Sequence, residues 1–294
     1  MRVAPSSRDQ DESSIAESTP VGTPVKPRLA VLIPIFNHQE GLERSLASLA
    51  QDGSKFDAFV VDDGSAVPVR IPSGLPYQVR LLRHDPNRGI TGALNAGLAL
   101  IAEGGYQYLA RLDACDLTLP GRFAAQMAFL DSHPDHAVVG TAARYVDMRG
   151  NLLFEYRPPT GHDALTRFLR YRAGIVHPSA MIRVRALIEC GPYRDDFPGA
   201  EDHDLFMRLA KAHKVANLDP IFVVKEVSPD SITSNRKMIL ASRLRILLCH
   251  FDPRSIHSYA GVTTNTLLWL APRPLILKLR QLFERWRTRI SRGS

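Results

Sequence analysis

The sequence of 294 residues is poor in cysteine, and its three cysteines, Cys115, Cys190 and Cys249, show no CxxC spacing. This scarcity argues against a disulfide framework and against a zinc knuckle, and it fits a reducing compartment. Long apolar runs are also missing, since the run at 267–270 is soon followed by prolines and is far shorter than a membrane span. No charged segment followed by an apolar one opens the chain, so we expect a cytoplasmic protein.

Two common nucleotide-binding signatures are absent as well. The sequence contains neither the GxxxxGK(S/T) pattern of a P-loop nor a GxGxxG pattern after its first apolar run. A P-loop is therefore excluded, and a dinucleotide site is not indicated. If acidic residues of this chain form a nucleotide site, that site has no glycine-rich phosphate loop and would hold a diphosphate through a bridging metal ion.

The composition, with 45% hydrophobic and 23% charged residues, is that of an ordinary globular protein. The charge is uneven: the part from 234 onward holds 12 of the 37 Lys and Arg and 2 of the 30 Asp and Glu, so it carries +10 and the rest −3. This asymmetry suggests an anionic partner for the basic part, either a membrane surface or a nucleic acid. Residues 1–27 are rich in Ser, Pro, Thr and acidic residues, and we expect them to form a disordered tail.

Short apolar runs alternate with helical patterns over the first half of the chain. Alternation of this kind, with short turns, predicts an α/β fold whose mostly parallel sheet is flanked by helices. The runs, which we interpret as buried strands, lie at 29–35, 56–61, 78–82 and 108–112.

Polar residues follow three of these strands. They are Asn37 after the first, Asp62 and Asp63 after the second, and Asp113 and Asp116 after the fourth. The carboxyl ends of parallel strands share one edge, so these side chains should converge on one crevice. Carboxylates that lie close together repel each other when both are ionised, so they need a nearby positive charge from a divalent metal ion or from basic side chains. The alternative, that each is only a turn residue, weakens as the pattern repeats.

The second half of the chain is less regular. It shows a strand at 137–141, a hairpin around 149–151 and a further strand at 175–182, in which His177 either faces a ligand or is a hydrogen-bonded structural histidine. A helix follows the sequence Gly-Ala-Glu-Asp-His-Asp at 199–204. Two interpretations of its first-turn carboxylates are open. The helix dipole stabilises negative charge there, and this helix taken alone favours that explanation. The other interpretation is that Asp202 is a general base that projects into the crevice.

Two basic helices are predicted at 232–251 and 274–290, and both place Leu, Ile or aromatic residues among Lys and Arg. They either lie on an anionic membrane surface or pack on the domain with their charges solvated. Nucleic-acid binding is not expected, because no known module is recognisable. The predicted organisation is thus a tail at 1–27, a domain at 28–230 and a basic helical extension at 231–294.

Taken together, the motifs resemble those of the family 2 glycosyltransferases, which are inverting enzymes of the GT-A fold. The resemblance covers about residues 29–233. It rests on Ile-Pro-Ile-Phe-Asn at 33–37, Val-Val-Asp-Asp-Gly-Ser at 60–65, Asn-Arg-Gly-Ile at 87–90 with Asn-Ala-Gly at 95–97, Leu-Asp-Ala-Cys-Asp-Leu-Thr-Leu-Pro at 112–120, His-Pro-Ser at 177–179 and Ala-Glu-Asp-His-Asp-Leu at 200–205.

The resemblance implies a role for individual residues. Pro34 and Asn37 would line the nucleotide pocket. Asp63 would contact the uracil or ribose, and Arg88 would lie beside the base. Asp113 would lie near the ribose and diphosphate, and Asp202 would be the catalytic base. The implied function is transfer of a sugar from a UDP-linked donor to a lipid-linked or polysaccharide acceptor in cell-surface glycan biosynthesis, at the inner face of the membrane. The alternative is a catalytically silent protein that binds nucleotide sugars or assists assembly on the same fold.

The sequence departs from the family pattern at Cys115, where an acidic residue of an Asp-x-Asp-Asp motif commonly holds the metal. A thiol is a poor partner for a hard ion such as Mg²⁺. Of three outcomes we favour the first, in which Asp113 or Asp116 binds the expected Mn²⁺ or Mg²⁺. In the second, Lys225 or Arg236 supplies the positive charge without a metal, and in the third catalysis is lost.

Overall fold

The computed structural model describes residues 26–227 and 235–272. The predicted tail, apart from its last two residues, and the predicted helix at 274–290 lie outside the described residues, as does the segment 228–234. The strands are β1 (Leu29–Ile35), β2 (Phe56–Asp62), β3 (Gln78–Arg83), β4 (Tyr108–Arg111), β5 (Leu117–Thr118), β6 (His136–Val146), β7 (Leu152–Tyr156), β8 (Met181–Arg183) and β9 (Lys214–Glu226). The helices are α1 (Gln39–Leu49), α2 (Gly89–Glu103), α3 (Arg122–Ser132), α4 (His162–Leu169), α5 (Val184–Cys190), α6 (Glu201–Ala212), α7 (Arg236–Cys249) and α8 (Ile256–Leu270).

Within the described ranges the strands form one sheet in the order β3-β2-β1-β4-β8-β6-β9-β5, with β7 paired to β6. The part made of β3, β2, β1 and β4 is parallel, and so is the β6–β9 pair. The short strands β5, β7 and β8 pair in the antiparallel sense. The α/β class is therefore confirmed, with a parallel half that carries the predicted strand ends and a mixed half beside it.

The buried strands of the parallel half are apolar on both faces because helices cover both faces. On β1, Ala30 and Leu32 belong to one core cluster, while Leu29, Val31 and Ile33 belong to the other. This split follows the period of two along a strand. Helix α1 packs on the second face through Leu42, Leu46 and Leu49, which are all fully buried.

Helix α2 approaches β1 closely at Gly97. A Cβ atom at this position would lie 2.2 Å from Leu32 Cδ1. A side chain here would thus push the helix away from the sheet, which explains a small residue in the middle of a helix.

The predicted strand at 175–182 is wrong in its first part. Residues His177–Ser179 form a turn of 3₁₀ helix, closed by the N–H of Ser179 donating to Val176 O at 2.8 Å, and strand β8 begins only at Met181. Pro178 has no N–H for a strand ladder, which explains the interruption. The predicted hairpin around 149–151 is present as the β6–β7 pair.

Helix α7 packs on the body of the protein. Leu240, Ile246 and Leu247 are buried, and Ser242 Oγ donates to Pro198 O at 3.0 Å. Helix α8 follows with Gly261 set against the backbone carbonyl of Arg170, where a Cβ would lie 1.8 Å from the oxygen. The sequence left open whether the predicted basic helices lie on a membrane surface or pack on the domain, and α7 is observed to pack on the domain. Among residues 26–227 and 235–272, none of the helices is both long enough and apolar enough to cross a membrane.

Candidate active site

A cleft of about 1110 Å³ opens where β1, β4 and β9 end and where the β6–β7 hairpin, α6 and α7 meet. The residues singled out in the sequence that line it are Pro34, Asp113, Cys115, Asp116, His177, Asp202, Lys225 and Arg236. We call Asp113, Asp116, Asp202, Lys225 and Glu226 the charged set, and Leu153, Phe154, Ile239, Leu240 and Leu268 the apolar set, and both sets line this cleft. Strand ends and a helix start thus bring Asp113, Asp116 and Asp202 into one place, whereas the predicted Asp62 and Asp63 do not line this cleft.

Lys225, at the end of β9, binds both predicted strand-end carboxylates. Its Nζ lies 3.1 Å from Asp116 Oδ2 and 3.5 Å from Asp113 Oδ2. The second oxygen of Asp116 accepts the N–H of Glu226 at 3.0 Å, and Oδ1 of Asp113 accepts from Arg111 at 2.7 Å. All four carboxylate oxygens are therefore engaged by groups of this chain.

These contacts shift the pKa values of the cluster. Burial alone would raise the pKa of Asp113, but the positive charges of Lys225 and Arg111 outweigh it and lower that pKa to about 2. Burial would lower the pKa of Lys225, but Asp116 and Asp113 hold it well above its usual range. At neutral pH the cluster thus contains an ionised Asp113 beside a permanently charged ammonium group.

A fully buried arginine supports Asp113 from behind. Arg111 donates to the backbone carbonyl of Leu32 as well as to Asp113, and its Nε donates to His177 Nε2 at 3.3 Å. The same Nε2 lies 3.0 Å from Tyr193 Oη. Burial and the Arg111 charge lower the pKa of His177 to about 3, so this imidazole is neutral at pH 7. His177 is thus hydrogen-bonded within the structure, as one sequence interpretation held, and it also lines the cleft.

Asp202 lies in the first turn of α6 and lines the cleft. Its Oδ1 accepts the N–H of His203 at 2.7 Å, a contact at the start of the helix that agrees with the helix-dipole interpretation. Burial raises the pKa of Asp202 to about 6, and burial together with the Asp202 charge raises the pKa of Glu201 to about 7. A carboxylate whose pKa is raised toward neutrality can accept a proton from a bound hydroxyl group.

The start of α6 is anchored by a buried ion-pair network. Asp204, which is fully buried, accepts from Arg208 at 2.8 Å and from His250 at 3.1 Å, and Arg194 lies 3.7 Å away. His250 follows α7, so this contact also ties the C-terminal helices to the helix that carries Asp202. The network fixes the position of the candidate base.

Asn37, Asp63 and Arg88 are not among the residues that line the cleft. They join the loops after β1, β2 and β3. Asn37 Oδ1 accepts the N–H of Ala66 at 2.8 Å. Asp63 Oδ1 accepts the N–H of Arg88 at 2.9 Å and lies 2.8 Å from His84 Nδ1. Asn37 adopts a positive φ of 52°, a conformation that asparagine tolerates better than most residues. In this structure the three residues shape the loop edge beside Pro34.

Within residues 26–227 and 235–272, two groups of side chains are candidates for holding a divalent ion. The predicted pair Asp113 and Asp116 already shares Lys225, so an ion between them would have to displace the ammonium group. The second group is His38, Cys115 and Glu226, whose ligand atoms all lie within 4.8 Å of one another. Burial and the nearby carboxylates raise the pKa of Cys115 to about 11, so its sulfur becomes a thiolate only when a cation replaces the proton. The second group therefore fits an ion better than the first.

Sequence reasoning missed three of the side chains that shape the site. Arg111 is the charged residue inside the apolar run at 108–112, and a charge in a buried strand was a usable signal. His38 and Glu226 carried no such signal, since each becomes a neighbour of Cys115 only through the fold. Glu226 lies at the end of β9, a strand that the sequence analysis did not identify.

The comparisons with known proteins agree with this geometry. The sequence model of "Glycosyl transferase family 2" matches residues 30–191, more than half of the chain. The chain belongs to this family. The resemblance drawn from the motifs is thus confirmed, and so is the assignment of this protein as a glycosyltransferase.

A curated relative, the amylovoran biosynthesis glycosyltransferase AmsE of Erwinia amylovora, is 30% identical over 217 residues, which cover 70% of this chain and 79% of that protein. A crystal structure of S. aureus TarS, residues 1–349, in complex with UDP-GlcNAc has a TM-score of 0.62 at 16% identity and covers 82% of this chain and 73% of that chain. In another TarS structure the match spans 43% of that chain. The mannosyltransferase PcManGT of Pyrobaculum calidifontis, in complex with GDP-Man and Mn²⁺, has a TM-score of 0.59 at 16% identity and covers 90% of this chain and 83% of that chain. These similarities confirm the GT-A type of fold.

Proposed function

We propose that this glycosyltransferase moves a sugar from a UDP-linked donor to a lipid-linked or polysaccharide acceptor, with inversion at the anomeric carbon. One observation carries the proposal: Asp202, whose pKa is raised to about 6, lines the same cleft as the Asp113–Lys225–Asp116 cluster. A base and a cationic group in one cleft are what displacement of a nucleoside diphosphate by a hydroxyl group needs. The curated relative in amylovoran biosynthesis supports a role in glycan synthesis.

In the proposed reaction Asp202 takes the proton of the acceptor hydroxyl group. The acceptor oxygen forms a bond to the anomeric carbon from the face opposite the diphosphate, and the bond between that carbon and the phosphate oxygen breaks with its electron pair leaving on the diphosphate. Lys225 offers a fixed positive charge toward that developing negative charge, because Asp113 and Asp116 hold its ammonium group in place. We assign Pro34 and Asp113 to the donor side of the cleft, and Asn37, Asp63 and Arg88 to the loop edge that meets the nucleoside.

A divalent cation would add to this charge. When bound, it would stabilise the departing diphosphate as a Lewis acid. A related structure contains Mn²⁺ together with GDP-Man, which supports a metal in this fold. In this chain Cys115, His38 and Glu226 are the side chains that would hold it, with Asp113 and Asp116 available only if Lys225 moves.

The apolar set supports an acceptor with a lipid part. Leu153 and Phe154 of β7 are about half exposed, at 50% and 48%, and lie in the lining of the cleft with Ile239 and Leu268 of the C-terminal helices. Exposed apolar side chains grouped at a binding cleft mark a surface that meets an apolar partner. With the basic sequence beyond 272, this favours work at the inner face of a membrane.

The competing proposal is a silent protein that binds nucleotide sugars, for which Cys115 in place of an acidic residue is the supporting observation. Release of nucleoside diphosphate from UDP-linked and GDP-linked sugars, measured with and without membrane extract as acceptor source, separates the two. We expect release from a UDP-linked sugar that increases with acceptor. Binding of UDP without release from any donor would favour the silent protein, and release only from GDP-linked sugars would refute the UDP assignment.

A further inference from the structure

Three side chains from separate parts of the chain meet beside the Asp113–Lys225–Asp116 cluster. His38 precedes α1, Cys115 follows β4, and Glu226 ends β9, and their ligand atoms lie within 4.8 Å of one another. All three line the cleft. A nitrogen, a sulfur and an oxygen are thus placed around one point, in a spacing that a single ion can bridge.

The absence of a side chain at position 41 creates the room for this meeting. A Cβ atom on Gly41 would lie 2.4 Å from Cys115 Sγ and 2.5 Å from His38 Nδ1. Any other residue would push the sulfur and the imidazole apart. Helix α1 further holds Cys115, whose N–H lies 3.3 Å from Gly41 O and 3.0 Å from Ser45 Oγ.

The chemistry of the three atoms decides which ion suits them. Mg²⁺ prefers oxygen ligands in an octahedral arrangement, and one carboxylate with a sulfur and an imidazole is a poor match for it. Thiolate and imidazole ligands favour Zn²⁺ and similar late transition-metal ions, which accept three protein ligands and leave a fourth position open. We propose that His38, Cys115 and Glu226 form a site for a divalent ion of the zinc class rather than for Mg²⁺, with one position left for water or a ligand oxygen.

One existing contact is lost when the ion binds, and a second is kept. His38 Nδ1 accepts the N–H of Gly41 at 3.0 Å, and a neutral imidazole that gives one nitrogen to a metal has a proton on the other, so this acceptor is lost. Glu226 Oε2 accepts from Arg44 at 2.9 Å, and the ion takes the other oxygen. The amide of Gly41 is therefore a reporter of metal binding that does not depend on enzymatic activity.

The proposal concerns binding by the chain alone, so its test uses no donor or acceptor. The full chain, freed of metal with a chelator, is titrated with Co²⁺, and the sulfur-to-cobalt charge-transfer absorption is recorded. The matched control is the double variant Cys190→Ser with Cys249→Ser, which keeps Cys115 as the single thiol. We expect the absorption in the wild type and in this control, and its loss in Cys115→Ser with affinity weaker by more than about 100-fold.

Further arms keep the test decisive. His38→Ala and Glu226→Gln should each weaken Co²⁺ binding at least about tenfold, Zn²⁺ should displace the Co²⁺, and an equal concentration of Mg²⁺ should not. Cys115→Asp serves if the serine variant does not fold, and it should bind Co²⁺ without the charge-transfer absorption. The amide resonance of Gly41 should shift on Zn²⁺ addition in the wild type and stay in place in Cys115→Ser. Absence of the charge-transfer absorption in the wild type, its persistence in Cys115→Ser or Cys115→Asp, or displacement by Mg²⁺ would each overturn the proposal.

Discussion

The charged set and the apolar set line one cleft but are held in different ways. In the charged set the side chains of Asp113, Asp116 and Lys225 are 32%, 3% and 24% exposed, and each is fixed by ion pairs or hydrogen bonds. In the apolar set, Leu153 and Phe154 are about half exposed on a hairpin strand. The charged set is thus preorganised before any ligand binds, whereas the apolar set leaves apolar surface exposed to solvent.

This contrast assigns a different role to each set in binding the two substrates. Preorganised charges act on a group whose position is fixed, such as a diphosphate, and they cost no reorganisation during the reaction. Partly exposed apolar side chains gain free energy only when a partner covers them. The charged set is thus suited to donor chemistry and the apolar set to acceptor binding, and the following changes test that division.

The largest effect is expected for Asp202→Asn. The variant keeps the size of the side chain but cannot accept the acceptor proton, so kcat should fall by about 10² to 10⁴-fold while UDP affinity changes little. Steady-state kinetics and calorimetry with UDP measure the two quantities. The matched control is Asp195→Asn, an exposed residue outside the cleft lining, which should leave both unchanged. A full-rate Asp202→Asn enzyme would remove Asp202 from the mechanism.

A second change breaks the charged set itself. Lys225→Met leaves the nearly buried carboxylate of Asp116 without its cation, so UDP affinity should fall at least about tenfold and the free energy of unfolding by about 2 kcal/mol. Calorimetry and urea unfolding measure these effects. Lys211→Met, at an exposed position of α6, is the control and should change neither. Unchanged UDP affinity in Lys225→Met would mean that this ammonium group does not meet the diphosphate.

The pH dependence sharpens the role of Asp202. Its pKa is raised to about 6 and its active form is the deprotonated one, so kcat/KM should rise with pH through about 6 and level off above it. Below that value the rate should fall about tenfold per pH unit. A pH–rate profile with a non-ionising acceptor tests this, and a plateau that extends unchanged to pH 4 would contradict the assignment.

The smallest effect is expected in the apolar set. Phe154→Ser removes about half of a phenyl surface from the acceptor contact, worth about 1 kcal/mol, so KM for a lipid-linked acceptor should rise about fivefold. KM for a water-soluble glycan acceptor and for the donor should stay the same. Ile188→Ser, an exposed residue of α5 that does not line the cleft, controls for general surface effects. An equal rise in KM for the lipid-linked and the water-soluble acceptor would refute the assignment of the apolar set to the lipid part of the acceptor.

The sequence predicted the parts of the molecule that depend on local patterns. Continuous apolar runs marked β1, β2 and β4, and strand-end residues placed Asp113 and Asp116 at the shared edge of the sheet. The roles given to Asn37, Asp63 and Arg88 stay predictions, since in this structure their polar atoms join loops. Local pattern was sufficient for these strands and for the end of β4, but it did not decide which residues after β1 and β2 line the cleft.

The remaining features depend on contacts between distant segments. Glu226 reaches Cys115 because β9 pairs with both β6 and β5, which no local periodicity shows. Likewise, the packing of α7 on the domain includes the contact of His250, which follows this helix, with Asp204, 46 residues away in the chain. Pro178 was visible in the sequence, and its missing N–H was a usable signal against a continuous strand at 175–182.

The most direct test of the account is the stereochemistry of the product. Proton NMR of the reaction with an α-linked UDP-sugar shows the configuration of the first sugar linkage formed. Direct displacement with Asp202 as the base predicts a β-linked product that appears together with UDP. An α-linked product, or binding of the donor with no product at all, would contradict it.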